Sequence, residues 1–127
     1  MGQRIDRRIH KRFKVREESF AFIENDTKIL CKIKNISRGG VSLVTIANAE
    51  YIPEIFDTDI FVTGRIFYLK DVPSKKISES HIDTKSLFNT FIKSQVGIQF
   101  GKLDGGQVSL LEVFLKNHAT IEDVSAL

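Results

Sequence analysis

Hydrophobic and polar residues alternate along much of the chain, which is the pattern of β-strands that bury one face. The stretch 28–36 shows this pattern best, because Ile29, Cys31 and Ile33 fall on one side and lysines on the other. Further strands are predicted around Phe20 and Phe22, at 41–46, at 59–69, and from near Phe88 through Phe100. The sequence therefore predicts about six strands.

The period changes after residue 100. Asp104 and Gln107 are three residues apart, as in a capping box at the start of a helix. Apolar residues then recur at helical spacing, at Val108, Leu111, Phe114 and Leu115. Six strands followed by one helix indicate a mainly β protein: a small antiparallel barrel or sandwich with a C-terminal helix packed on it.

Two stretches lack a clear period and are predicted to be connections. Residues 47–58 contain Pro53, and residues 71–85 contain Pro73, three serines and two adjacent lysines. The second stretch is predicted to be an exposed loop. Residues 117–127 are expected to fray or to form a short extra element.

Composition agrees with one globular domain. The chain has 127 residues, of which 42% are hydrophobic and 28% charged. It has no apolar run of the roughly 18 residues that span a bilayer, and its single cysteine forms no internal disulfide, so a cytoplasmic protein is expected. Cys31 is expected to be a core thiol. Inward positions are also expected for five aromatic residues, Phe20, Phe22, Phe61, Phe67 and Phe100.

Charge is distributed unevenly. Residues 1–16 hold seven basic residues and one acidic residue, a net charge of +6, whereas the remainder is mildly acidic, with 12 basic and 15 acidic residues. An anionic partner is therefore expected to meet this arm.

Arg8 and Arg12 are the first candidate for chemistry. A spacing of four places two guanidinium groups on one face if the arm is helical, and a wrapped loop brings them together equally well. Guanidinium groups stack on rings, pair with guanine edges and bind phosphate. Taken alone, a pair of this kind is also typical of a solvated basic terminus.

A polar turn is the second candidate, formed by Asn35, Ser37, Gly39 and Gly40. The Asn amide suits a base edge, the hydroxyl suits a phosphate or an amide, and glycines allow close approach of the backbone. Taken alone, these residues are equally typical of an ordinary β-turn. With the arginines, they describe a pocket for a planar anion such as a nucleotide.

The order of these segments resembles the signature of the PilZ domain, a bacterial receptor for cyclic diguanylate. That signature is R-x-x-x-R, then D/N-x-S-x-x-G, then a G-hydrophobic-x-F strand before the last helix. It is matched here by Arg8 and Arg12, by Asn35, Ser37 and Gly40, and by Gly97, Ile98 and Phe100. The resemblance covers roughly residues 4–116.

The resemblance implies a six-stranded antiparallel barrel with a C-terminal helix: a basic arm at 1–16, the barrel and helix at 17–118, and a tail at 119–127. Arg8 and Arg12 would bind guanines and phosphates, Asn35 a guanine edge, and Ser37 a phosphate or base. The turn glycines Gly39 and Gly40 would leave room for the ligand. Arg7, just before the motif, implies a stacked pair of cyclic diguanylates. Arg38 and Gly97 are possible additional contacts.

The leading hypothesis is a cytoplasmic cyclic diguanylate receptor that has no cofactor, catalyses no reaction, orders its arm on binding and signals through a protein partner. Motility or biofilm regulation would be typical outputs of the family. One alternative is a PilZ-like adaptor without a nucleotide ligand. Another is a small barrel that binds single-stranded nucleic acid, which the confinement of basic charge to the arm disfavours. The three histidines lie far apart without ligand spacing, so no metal site is expected.

Overall fold

The computed structural model describes residues 12–15, 19–46, 51–64, 67–85 and 90–121. The strands are β1 (Phe13–Val15), β2 (Ser19–Glu24), β3 (Lys28–Ile36), β4 (Gly40–Thr45), β5 (Ile55–Val62), β6 (Tyr68–Lys85), β7 (Thr90–Phe100) and β8 (Ala119–Ile121), and helix α1 spans Gly105–His118.

Six strands form a closed antiparallel barrel. Their order is β2-β5-β6-β7-β4-β3, and the pairing of β2 with β3 closes the ring. Closure leaves no unpaired edge within the ring. Strand β1 pairs with β3, and β8 pairs with β1, so these two short strands extend the sheet from one side of the barrel. The predicted six-stranded barrel with a C-terminal helix is confirmed.

Alternating burial explains most of the strands. In β3, Ile29, Cys31 and Ile33 point into the core while the residues between them are exposed. Cys31 is fully buried, so the prediction of a core thiol is confirmed, and this burial raises the pKa of the thiol to about 12.

The prediction of inward-facing phenylalanines is wrong for Phe20, Phe22 and Phe61, and right for Phe67 and Phe100, which are buried. In β2 the inward positions belong to smaller residues: Ser19, Ala21 and Ile23. The three misassigned rings are half-buried on the outer face. Since side chains alternate between faces, the choice of small residues for the interior sets the whole register.

The prediction of one strand at 59–69 is wrong. The chain turns at Thr63 and Gly64, and Gly64 has a φ of +74°, a left-handed conformation that favours glycine. Strand β5 ends before this turn and β6 begins after it. β5 also starts within the predicted connection 47–58, at Ile55.

The predicted loop at 71–85 is strand in the structure. It belongs to β6, which pairs with β7 as far as Lys85 opposite Thr90, with a bulge between Lys76 and Ser78. The pairings of β5 with β6 end at Lys75, and those of β4 with β7 end at Gln95, so a two-stranded ribbon continues beyond the barrel. Residues 77–81 of the ribbon are exposed, and the pairing with β7 satisfies their backbone.

Helix α1 begins as predicted. The Asp104 carboxylate accepts a hydrogen bond from the Gln107 amide at 2.8 Å, and the Gln107 side chain accepts one from the Asp104 amide at 3.0 Å, which completes the capping box. Leu111, Phe114 and Leu115 are buried against the barrel, and the Phe114 ring lies 5.5 Å from that of Phe67. No helix in the described part of the chain is long and apolar enough to cross a membrane.

Candidate functional site

Ser37 organises the turn between β3 and β4. Its amide donates to the Gly40 carbonyl at 2.8 Å, and its hydroxyl oxygen accepts from the amides of Gly39 and Gly40, both at 3.1 Å. The hydroxyl that was expected to meet a ligand therefore also holds the shape of the turn.

Gly40 is required by strand packing, and Gly97 leaves room for a side chain of the neighbouring strand. A Cβ on Gly40 would lie 2.1 Å from the carbonyl oxygen of Ile98 on β7, and one on Gly97 would lie 2.4 Å from the Ser78 hydroxyl on β6. Such distances are far below van der Waals contact. The absence of side chains lets β4, β7 and β6 approach closely beneath the turn.

The turn and these strands line a cavity of about 660 Å³. Seven of the nine predicted site residues line it: Arg12, Asn35, Ser37, Arg38, Gly39, Gly40 and Gly97. Arg7 and Arg8, the other two, lie outside the described residues. Segments separated by more than 80 residues in the sequence thus meet in one place.

Strand β1 brings Arg12 to this cavity. Arg12 comes directly before Phe13, and β1 pairs Phe13 with Ile36 and Lys14 with Asn35. The backbone directly after Arg12 is therefore paired with the end of β3, beside Asn35 of the polar turn. Arg12 is exposed, so its guanidinium is accessible to a ligand.

Asn35 is the most informative side chain of the cavity. It is only 8% exposed, and its side-chain amide makes no hydrogen bond to the described residues. Buried amide groups are nearly always hydrogen-bonded, because burial without a partner costs about 1–3 kcal/mol. The ladder between β3 and β4 has a register irregularity between Ile33 and Asn35. Bulges of this kind re-aim a side chain next to binding sites.

Arg38 forms an ion pair with helix α1. Its Nε and Nη2 atoms donate to the two carboxylate oxygens of Glu112, at 2.5 and 2.9 Å. This bidentate bond raises the pKa of Arg38 and lowers the pKa of Glu112. Both side chains are nearly half exposed, so the pair contributes little to stability. It does connect the polar turn directly to the helix.

Sequence reasoning missed part of the cavity wall. Ser42, Ile77, Ser78, Gln95 and Gln99 also line it. Two of them, Gln95 and Gln99, lie on the outward side of β7, alternating with buried Val96 and Ile98. This alternation was readable from the sequence, whereas the position of Ile77 depends on the unpredicted strand β6.

A second cavity of about 680 Å³ adjoins the first, and the two share Gln99, Phe100 and Gly101. Its remaining charged groups are Glu24, Asp57 and Lys75. With two carboxylates and one ammonium group, it suits a polyanion less well than the cavity at the polar turn does.

Three carboxylates, from Glu24, Asp59 and Asp71, have oxygens within 4.8 Å of one another. Asp59 is buried, and both its oxygens accept hydrogen bonds: from the Tyr68 hydroxyl at 3.0 Å and from the Asp71 amide at 2.8 Å. Glu24 pairs with Lys28 at 3.2 Å. These contacts neutralise Glu24 in part and satisfy both oxygens of Asp59.

Solved PilZ structures share the fold of this chain. The PilZ domain of YcgR from Escherichia coli, with c-di-GMP, is 16% identical, with a TM-score of 0.64 over 87% of this chain and 91% of that chain. MrkH of K. pneumonia in complex with c-di-GMP is 15% identical, with a TM-score of 0.67 over 89% of this chain. The Bacillus subtilis inhibitor of motility MotI/DgrA is 17% identical, with a TM-score of 0.57 over 90% of this chain.

These likenesses show that the chain has the fold of a PilZ domain. It spans 52% of the chains of MrkH and MotI/DgrA, about half their length. No protein-family model matches the sequence, and the comparison with curated proteins found no match.

Proposed function

We propose that this chain, with its PilZ fold, is a receptor that binds cyclic diguanylate in the cavity at the polar turn and catalyses no reaction. The observation that carries the proposal is the buried Asn35 amide, without a partner among the described residues, in the same cavity as the Arg12 guanidinium. A guanine edge satisfies an amide, and a phosphate or purine face satisfies a guanidinium. The YcgR and MrkH structures named above were solved with this ligand.

The residues of the cavity would have different roles in binding the ligand. Asn35 would bond a guanine edge, and Arg12, with Arg8, would stack on bases and bond phosphates. The outward amides of Gln95 and Gln99 would add polar contacts from the cavity wall. Ser37 and the turn glycines would hold the backbone in the shape that admits the ligand.

Arg7 supports a stacked pair of ligands in the proposed complex, because it stands directly before Arg8, as in PilZ domains that bind such a pair. The second cavity offers adjoining space, but its carboxylates would repel phosphates. We expect the pair to lie towards the arginine arm.

Signalling would begin at the arm. A ligand that draws Arg8 and Arg12 onto the turn would fix the chain immediately before β1. β1 in turn pairs with β8, which directly follows α1. A protein partner would then read the combined surface of arm, ligand and barrel. A regulatory output such as motility is compatible with the neighbour MotI/DgrA.

Isothermal titration calorimetry with cyclic diguanylate tests the proposal. The wild-type chain should bind, Arg12→Ala should lose most of the affinity, and Lys75→Ala in the adjoining cavity should keep it. Arg7→Ala should halve the stoichiometry if a pair is bound. No heat at micromolar protein with excess ligand would overturn the proposal and favour an adaptor that works by protein contact alone.

Two competitors complete this experiment. Cyclic diguanylate should bind more tightly than linear pGpG or GTP, because only the cyclic ligand presents both guanines in a fixed arrangement. Binding to single-stranded oligonucleotides that falls steeply with salt would instead indicate a nucleic-acid site.

A further inference from the structure

Amides and guanidinium groups line the cavity at the polar turn. The side-chain amides belong to Asn35, Gln95 and Gln99. The guanidinium groups belong to Arg12 and Arg38. Among the described residues that line this cavity there is no aspartate or glutamate. A base in the cavity would therefore be recognised without a carboxylate, and this affects which bases the cavity accepts.

No contact among the described residues fixes the orientation of the Asn35 amide. The side chain is 8% exposed, lines the cavity and makes no hydrogen bond to the described part of the chain. Gln107 is the opposite case, because its side-chain oxygen accepts from the Asp104 amide and its nitrogen donates to the Lys70 carbonyl. A half-turn about the last bond of Asn35 exchanges its oxygen and nitrogen with almost no change of shape. Either end of this amide can therefore face a ligand.

An amide that can turn in this way matches both purines. Guanine presents its N1–H donor beside its O6 acceptor, so it pairs with the oxygen and the nitrogen of an amide. Adenine presents its N6 amino donor beside the N1 or N7 acceptor, and the amide turned by a half-turn pairs with that edge as well. A carboxylate would match guanine alone, because both its oxygens accept and one of them would face a lone pair of adenine.

Arg12 has the opposite property. A guanidinium group only donates, so the purine edge that accepts two of its hydrogen bonds is the O6 and N7 edge of guanine. Adenine has an amino donor in place of O6 and would repel it. Arg12 is exposed and lines the same cavity as Asn35. The cavity thus combines one group that selects guanine with one group that accepts either purine.

We propose that this cavity also binds a cyclic dinucleotide with one guanine and one adenine, an inference that rests on the receptor function proposed above. The guanine would meet Arg12, and the adenine would meet Asn35. Cyclic diguanylate binds in the same orientation with its second guanine at Asn35, where the amide is turned by a half-turn. Cyclic diadenylate places an amino group against Arg12 and is the ligand that the cavity rejects.

Isothermal titration calorimetry of the full chain with these three ligands tests the proposal. The mixed cyclic dinucleotide should bind within about tenfold of cyclic diguanylate. Cyclic diadenylate should bind roughly 5- to 150-fold more weakly than cyclic diguanylate, which is the discrimination that one bidentate pair provides.

Asn35→Asp separates the two roles of this residue. It keeps the size of the side chain and removes the amide nitrogen, so the mixed ligand should lose roughly 5- to 150-fold relative to cyclic diguanylate. Lys14, the register partner of Asn35, supplies a cation on the neighbouring strand for the new carboxylate. Asn35→Ala, a second variant, should weaken both ligands by the same factor. Asn117→Asp makes the matched change at an exposed position of α1 and should keep all affinities, and circular dichroism verifies that each variant is folded.

Three results would overturn the mixed ligand. The mixed cyclic dinucleotide could bind the wild-type chain more than about tenfold more weakly than cyclic diguanylate. Cyclic diadenylate could bind as tightly as cyclic diguanylate, or the folded Asn35→Asp variant could keep the wild-type ratio of affinities. Absence of binding by cyclic diguanylate itself would overturn the receptor function, and this inference with it. Binding of cyclic diguanylate without the mixed ligand would overturn this inference alone, so the two failures are distinguishable.

Discussion

Replacing Gly40 with alanine tests whether the β4–β7 contact sets both the fold and the site. The new Cβ would lie 2.1 Å from the Ile98 oxygen and 3.2 Å from its carbonyl carbon. Since Cβ atoms essentially never approach another heavy atom within 3.0 Å, the two backbones must separate by about 0.9 Å or more. Both are strand backbone, so neither moves as a flexible side chain would.

The loss in the free energy of unfolding has two parts. Overpacking in a well-packed region costs about 1–3 kcal/mol. The separation also weakens the bonds from the Phe100 amide to Gly39 and from the Ser37 amide to Gly40, each worth about 0.5–1.5 kcal/mol. Alanine also makes the unfolded chain stiffer, which offsets about 0.4–1 kcal/mol of this loss. We therefore expect Gly40→Ala to lower the free energy of unfolding by about 2–4 kcal/mol.

Differential scanning calorimetry measures this effect. An unfolding entropy of about 2.1 cal/mol/K per residue converts the loss into a Tm lower by roughly 7–15 °C. Gly105→Ala is the matched control, because nothing lies within 4 Å of a Cβ added at this position, which is the first residue of α1. The control should keep or slightly raise Tm. If Gly40→Ala unfolds within about 1 °C of wild type, the close approach of β4 and β7 is not what requires glycine here.

Three further predictions concern single side chains. Asn35→Leu should keep or raise Tm, because it removes a buried amide without a partner among the described residues, and should weaken cyclic diguanylate binding about tenfold or more; a large loss of Tm with intact binding would contradict the assigned role. Glu112→Gln should tighten binding about three- to eightfold, because Arg38, which lines the cavity, loses its neutralising carboxylate. Unchanged affinity in calorimetry would show that Arg38 does not contact the ligand. Cys31 should not react with Ellman's reagent at pH 8 until the protein unfolds, since a thiol with a pKa of about 12 has almost no thiolate at pH 8. Rapid labelling of the folded protein would refute the burial of Cys31.

The sequence predicts the fold wherever one face of an element is buried. β3 alternates cleanly, and the capping box at Asp104 and Gln107 marks the start of α1 within a residue. The prediction fails where that signal is missing or inverted. β6 is rich in polar residues and its side chains at 77–81 are exposed, and β2 places its phenylalanines outside and its small residues inside.

The candidate site was likewise predictable only in part. Motif residues on the turn were predictable because turns have characteristic residue types, and the cavity does bring them together with Arg12. The ion pair between Arg38 and Glu112 joins residues 74 positions apart, and no local sequence pattern predicts it. The contribution of Ile77 likewise depends on a strand pairing between distant segments.

The pairing of β4 with β7 has a consequence for the synthesis of the protein. Gly40 is paired with Gln99, so one wall of the cavity is made about sixty residues after the other. Most other barrel pairings join strands that are neighbours in the chain, and closing a long connection is the slower step in β proteins. A nascent chain on the ribosome would therefore have its polar turn early, whereas the cavity would be complete only after β7 had been made and had paired with β4.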